Sequence, residues 1–179
     1  MDRRQTLALL AGAGALQAAP AFAAKRRPLI VNALGGLANP NLALGQAPVP
    51  IPGGEDLQID GRSLREAHQS GLSAVNITLG YVAGPEDPHA FTLATLDQWD
   101  ALLAGSPADL MLVRTAHDIL RARDSGRVGV IYGMQNAAQI GVHTERAKAY
   151  ADRGVRVIQV TYNPANELGG VLHPVDHPD

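Results

Sequence analysis

The sequence contains no cysteine. Disulfide stapling and Cys-ligated zinc are therefore excluded, and any metal would have to be held by His, Asp or Glu. Aromatic residues make up only 4% of the chain, so Val, Ile, Leu and Ala must build the core. Neither sign of charge dominates: 15 Lys and Arg face 17 Asp and Glu, a net charge of −2. That balance removes the clustered basic footprint that a nucleic-acid partner needs. No Gly-x-Gly-x-x-Gly run and no P-loop follows any apolar segment, so nucleotide binding has no motif behind it. A Gly-x-Ser-x-Gly elbow is also missing, which disfavours a serine hydrolase. What is present is a chain of 179 residues, 46% hydrophobic, enough for one ordinary domain.

The first 23 residues read as a signal peptide. Arg3 and Arg4 form a positive start, Leu7 to Ala19 is apolar, and Ala21-Phe22-Ala23 supplies a small-residue cleavage site. The Arg3-Arg4 pair resembles a twin-arginine export signal, although the flanking pattern is incomplete; an ordinary secretory signal is the alternative. The apolar run is too short for a membrane anchor, and Gly12, Gly14 and Pro20 interrupt it. A periplasmic or secreted product without a membrane span is the expectation.

Beyond the signal, Leu29 to Ala33 reads as a buried strand before Gly35-Gly36. Residues 38–59 hold four prolines and form a long loop, whose length suggests a functional or lid-like part. Asp60 opens a short helix carrying Leu64 and Ala67, and Gly71 stops it. Ala74 to Leu79 is a second strand. Thr95 and Gln98 make a capping box for a helix with Leu96, Trp99 and Leu103 on one side. Ser106, Pro107 and Asp109 repeat a helix-start signal, giving a helix through Leu110, Val113, Ala116 and Leu120 that stops at Gly126. Val128 to Tyr132 is a third strand, Thr144 to Gly154 a further helix, and Val155 to Thr161 a fourth strand. Alternation of this kind implies an α/β fold with about four parallel strands and outer helices. An open doubly wound sheet and a (β/α) barrel both fit. In both, chemistry collects where the strands end: here Asn32 to Gly36, Gly80-Tyr81, Gly133 to Asn136, and Tyr162 to Asn166.

The run from Tyr150 to Asn166, with Gly-Val-Arg-Val-Ile-Gln-Val-Thr-Tyr-Asn-Pro-Ala-Asn at its heart, resembles the fourth-strand region of the renal (membrane) dipeptidase family of metallopeptidases. Gly126 to Asn136 resembles that family's third strand, Gly71 to Thr78 its second, and Leu29 to Gly36 sits where its first should be. The resemblance implies the amino-terminal half of a TIM-like (β/α)8 barrel over residues 24–170. It implies an ancestry in zinc-dependent dipeptide hydrolysis, in which a metal pair polarises the carbonyl and supplies hydroxide.

Within the resemblance, several positions depart. Where the family ends its first strand in Asp-Gly-His-x-Asp, this chain has Asn32-Ala33-Leu34-Gly35-Gly36, so Leu34 and Gly36 stand in place of two metal ligands. Gln135 stands in place of a bridging Glu, and a neutral amide carries no charge to offset two cations. Tyr162 takes the place of a His that contacts substrate in many members. The resemblance implies that the complete gene product hydrolyses a dipeptide or related amide, with Gln135, Tyr162, Asn163 and Asn166 lining the site, whereas this chain alone is expected to bind no stoichiometric zinc and to lack dipeptidase activity. For Asn163 and Asn166 ordinary turn formation is an equal alternative.

A four-stranded half-barrel leaves two edges open, inviting aggregation or pairing, including with a second copy as a homodimer. A truncated or frame-shifted product is the expectation, with residues 171–179 an irregular tail. His173 and His177 there, split by Pro174, lack the helical spacing that joins two ligands. His68, His117 and His143 read as ordinary helix or helix-edge residues. Glu66 and Asp118 read as surface carboxylates paired with neighbouring arginines. The competing functional reading is a non-catalytic relative that binds a small peptide-like ligand, or a fragment with no function.

Overall fold

The structure is a computed structural model that describes residues 27–170. The signal-peptide segment and the His173–Asp179 tail lie outside the described residues. Five parallel strands and four α-helices follow one another: β1 (Val31–Gly35), α1 (Gly61–Gln69), β2 (Ala74–Thr78), α2 (Pro88–Gly105), β3 (Leu110–Leu112), α3 (Ala116–Ser125), β4 (Val128–Met134), α4 (Glu145–Arg153) and β5 (Val155–Ile158).

Strand β4 is the centre of the sheet. One of its edges pairs with β2, with Gly129 opposite Ala74 and Gly133 opposite Thr78. The other edge is shared. β3 takes its first half, Leu110 opposite Val128, and β5 takes its second half, Tyr132 opposite Val155. β1 lies on the far side of β2. The order β1, β2, β4, β5 is the expected wall of four neighbouring parallel strands. It is an open wall: among the described residues the outer edges of β1 and β5 pair with nothing. β3 is an added strand that fills the lower part of the β4 edge.

Period-two alternation sorts the strand residues onto two faces. Val75 and Ile77 of β2, with Val128, Val130, Tyr132 and Met134 of β4, join Leu64, Leu96, Trp99, Leu102 and Tyr150 from α1, α2 and α4 in the main core. The alternate residues face the other way. There α3 lies across the beginnings of the strands, at the base of the second face. A Cβ at Gly129 would sit 2.7 Å from Val113 Cγ2, 3.2 Å from Ala74 Cβ and 3.3 Å from Ala122 Cβ. Small residues at these positions let the helix approach the sheet. Three helices therefore cover the outer face and the fourth plugs the base of the inner one.

Two expected helices are drawn differently. Helix α2 begins seven residues before Thr95, because Asp87 caps it by accepting from Ala90 N–H at 2.7 Å and Pro88 follows at the first turn. Thr95 is an interior residue whose hydroxyl donates to the Phe91 carbonyl. The helix expected from Pro107 to Gly126 is instead β3 followed by α3. Ser106 ends α2, and Leu110 to Leu112 find an open β4 edge on which alternating residues bury on both faces. Thr115 and Asp118 then form the capping box of α3, with the hydroxyl accepting from Asp118 N–H and the carboxylate accepting from Thr115 N–H at 2.9 Å.

The loop of residues 38–59 is pinned rather than lid-like. Asp60, buried at the start of α1, accepts from Ser63 N–H at 2.9 Å and from Arg62 N–H, Val49 N–H and Asn39 Nδ2 at 3.0 Å. Burial alone raises the Asp60 pKa, but the four donors outweigh it and bring it down to about 2. Pro52 and Gly53 pack against the last turns of α2, at the end of the sheet away from the strand tips.

Two outcomes follow. Asp60 titrates lower folded than unfolded, so its stabilisation is complete above pH ~4, near the ordinary carboxyl value, and is lost as pH falls toward 2. Urea midpoints measured across this window fall for the wild-type chain, and fall less for Asp60→Asn. Gly129→Ala crowds Val113 and costs on the order of 1–3 kcal/mol, read as a lower urea midpoint with unchanged slope.

Candidate functional site

The strand tips on the inner face converge on a patch of neutral polar side chains. Asn76 and Thr78 alternate along β2, and Gly133 and Gln135 alternate along β4 and its end. These four share one face because they are two residues apart on paired strands. Asn76 Nδ2 donates to the Ala33 carbonyl at 2.8 Å, tying β2 to β1. Its Oδ1 is buried without a partner among the described residues, and a Cβ at Gly133 would collide with it. Glycine at 133 is what lets the Asn76 carboxamide lie across the strand. One layer further up, Thr78 Oγ1 donates to Gln135 Oε1 at 2.8 Å, closing β2 onto the β4 tip.

A second carboxamide cluster ties β4 to the β5 end. Asn136 is fully buried; its Nδ2 donates to the Val82 carbonyl at 2.8 Å and its Oδ1 accepts from Ala138 N–H at 3.0 Å. Asn166 Nδ2 donates to Asn136 Oδ1 and to the Val160 carbonyl, both at 2.7 Å. Asn166 Oδ1 accepts from Leu168 N–H at 2.8 Å, which closes a local turn. The β4–β5 ladder runs on past the strands into this cluster, with Gln159 N–H donating to the Met134 carbonyl and Ala137 N–H to the Val160 carbonyl.

Of the residues that the sequence singled out, the structure joins Gln135 to Thr78 and Asn166 to Asn136. Asn166 forms a turn and bonds Asn136 and the Val160 carbonyl. Tyr162 and Asn163 stand exposed beside them without a hydrogen bond. Thr78 and Asn76 carry no sequence signal of their own. Only pairing across strands reveals them, because each meets its partner more than forty residues away in sequence.

The positions where the sequence resemblance puts metal ligands do not assemble a metal site. Asn32 turns its Oδ1 back to Leu34 N–H at 3.1 Å. Leu34 is exposed, and a side chain at Gly36 would meet nothing within 4 Å. Among the described residues no three His, Asp or Glu side chains cluster as metal ligands. The four histidines among the described residues are accounted for locally or lie in solvent. His68 meets Asp109 at 3.2 Å, His143 meets Glu145 at 3.3 Å, and His89 shares a 2.6 Å hydrogen bond with Tyr150, whose pKa burial pushes up to about 12. His117 is exposed on α3. Glu66 pairs with Arg62 and Asp118 with Arg121, both at 2.8 Å. A zinc pair finds no charged donor set here.

The buried Asn136 carboxamide holds three segments at once, so its loss exposes the cost of unmet partners. Asn136→Ala removes the bond to the Val82 carbonyl and one of the two bonds of Asn166 Nδ2, and costs about 1–3 kcal/mol. The measurement is urea unfolding, with amide exchange expected to rise first at Asn166 and Leu168.

Comparison with known proteins places this geometry in a family. Residues 48–177 match the family model described as membrane dipeptidase, peptidase family M19. No curated protein matches the chain. Among solved structures, an amidohydrolase from Pseudomonas aeruginosa is 27% identical, with a TM-score of 0.53 over 59% of this chain and 32% of its own. A metallopeptidase of family M19, dipeptidase AC, shares 17% identity, with a TM-score of 0.54 over 75% of this chain and 43% of its own. The probable dipeptidase PvdM from Pseudomonas aeruginosa shares 21% identity, with a TM-score of 0.50 over 76% and 35%. The chain thus spans less than half the length of each of these structures. With the parallel wall, its interlocked tips and a matched segment covering most of the sequence, the chain belongs to the membrane dipeptidase family.

Proposed function

We propose that this chain forms a recognition wall for a dipeptide or related small amide in a membrane dipeptidase-type protein, and that it does so without binding the family's zinc pair. The observation that carries this reading is two hydrogen-bonded pairs of neutral groups, Thr78 with Gln135 and Asn136 with Asn166, at the tips of neighbouring parallel strands. Strand tips are where parallel α/β folds place their sites. Carboxamides and hydroxyls suit a peptide group, which offers one donor and one acceptor. Tyr162 and Asn163, exposed beside this set, complete the proposed contact surface.

Metal-assisted peptide hydrolysis needs deprotonated His, Asp or Glu donors, and no group of three such side chains clusters among the described residues. The neutral groups at the tips support recognition as the role of this chain. The amino-terminal segment suggests export, and we place the protein in the periplasm or outside the cell. No helix among the described residues is long and apolar enough to cross a membrane.

The test uses the purified 179-residue chain. Metal analysis after dialysis against micromolar zinc is expected to find far less than one zinc per chain. Incubation with a dipeptide panel is expected to release no amino acids. Stoichiometric zinc accompanied by hydrolysis overturns the reading.

A further inference from the structure

We infer that the β4 tip is a subsite of inverted polarity, in which Thr78 fixes the Gln135 carboxamide so that its NH2 group receives the carbonyl oxygen of a peptide-like ligand directly. This inference rests on the recognition role proposed above and assigns one contact within it.

The argument begins with which hydrogen-bonding capacity is already used. Thr78 Oγ1 donates to Gln135 Oε1 at 2.8 Å, so the carboxamide oxygen is engaged by its own sheet. Gln135 Nε2 has no partner among the described residues, and the residue is half-buried at the mouth. The neighbouring carboxamides differ. Asn136 Nδ2 is spent on the Val82 carbonyl and Asn166 Nδ2 on Asn136 and Val160. Of the three carboxamides at these tips, Gln135 alone has an amide nitrogen with no partner among the described residues, and Asn136 is fully buried.

The chemistry of the donor selects the ligand group. A neutral N–H pair favours an acceptor and repels a cation, the opposite of a carboxylate at the same place. Around it, Leu34 and Gly36 at the β1 tip and Thr78 at the β2 tip carry no formal charge. An uncharged acceptor is therefore the better match, because a buried ion would go unpaired. A peptide carbonyl meets that condition. The β1 tip also adds no bulk near the subsite, since a side chain at Gly36 would meet nothing within 4 Å.

Thr78 is a positioning residue here. Its hydroxyl donates to Oε1 and so holds the carboxamide with Nε2 outward. A valine at 78 keeps the shape and removes that bond, whereas serine retains it.

The experiment titrates the 15N-labelled full chain with alanyl-alanine and follows side-chain and backbone amides by NMR, with zinc chloride alone as a second titrant. The expected result is a dipeptide-dependent shift of the Gln135 Nε2 resonances, and none with zinc. Thr78→Val is expected to weaken the dipeptide about threefold to tenfold, the value of one hydrogen bond, and Thr78→Ser to restore it. Gln135→Glu, followed at Asn166, is expected to weaken binding about tenfold or more at pH 7 and to recover as pH falls toward 4, when the carboxyl becomes a donor. Amide dispersion and urea midpoints confirm that each variant is folded. Dipeptide shifts confined to Asn163 and Asn166, with wild-type affinity in Thr78→Val and Gln135→Glu, overturn this subsite and leave the recognition role standing. Absence of any dipeptide shift overturns both. A zinc-induced shift at Gln135 overturns the inverted polarity.

Discussion

Everything in this domain depends on β4 using the backbone hydrogen bonds of both its edges. Gly129 to Gly133 spend one edge on β2, while the other is divided between β3 and β5. A strand buried on both faces and bonded on both edges has no tolerance for charged or oversized side chains. Its sequence, Val-Gly-Val-Ile-Tyr-Gly-Met, reflects that: every second residue is bulky on the helix side, and glycines recur on the other. Tyr132 is the one polar member. Its hydroxyl reaches Asp100 at 2.9 Å, and Asp100 is held by Arg153 from α4, so even this group ties α2 to α4.

The two glycines of β4 perform different tasks at the two ends of the inner face. Gly129 admits α3 against the sheet, which seals the base. Gly133 admits the Asn76 carboxamide, which braces β1, β2 and β4 beneath the tips. Between them they set a floor and a brace under the mouth. The mouth itself is then made of neutral hydrogen-bonding groups, and the membrane dipeptidase family supplies the frame in which those groups stand.

Much of this was legible in the chain because its signals are local and periodic. The four wall strands and their order follow from apolar runs separated by helical stretches. The Asp60 start of α1 and the Gly126 and Gly154 stops follow from capping chemistry. β3 was hidden because Leu110 to Val113 is four apolar residues long, and a run of that length suits a strand or a buried helix turn equally. The free β4 edge decided it, and that edge is a tertiary fact. The start of α2 was hidden by two adjacent cap signals, of which Asp87-Pro88 prevailed over Thr95. At the site, Gln135 and Asn166 stood out by position after their strands. Thr78 and Asn76 acquire meaning only through partners across the sheet, which no spacing rule reports.

The end-to-end sharing of one β4 edge by β3 and β5 has a mechanical consequence. Arg156 of β5 donates through Nε to the Arg114 carbonyl just after β3, while Arg114 donates to the Asp152 carbonyl at the end of α4. Gly154 lies against Leu112, leaving no slack between the two strands. The lower strand thus acts as a stop against which the upper one is seated. A change in length or bulk at the β3–α3 junction would be transmitted along the edge as a slide of β5, and would arrive at Asn166 without any residue of the mouth having been altered.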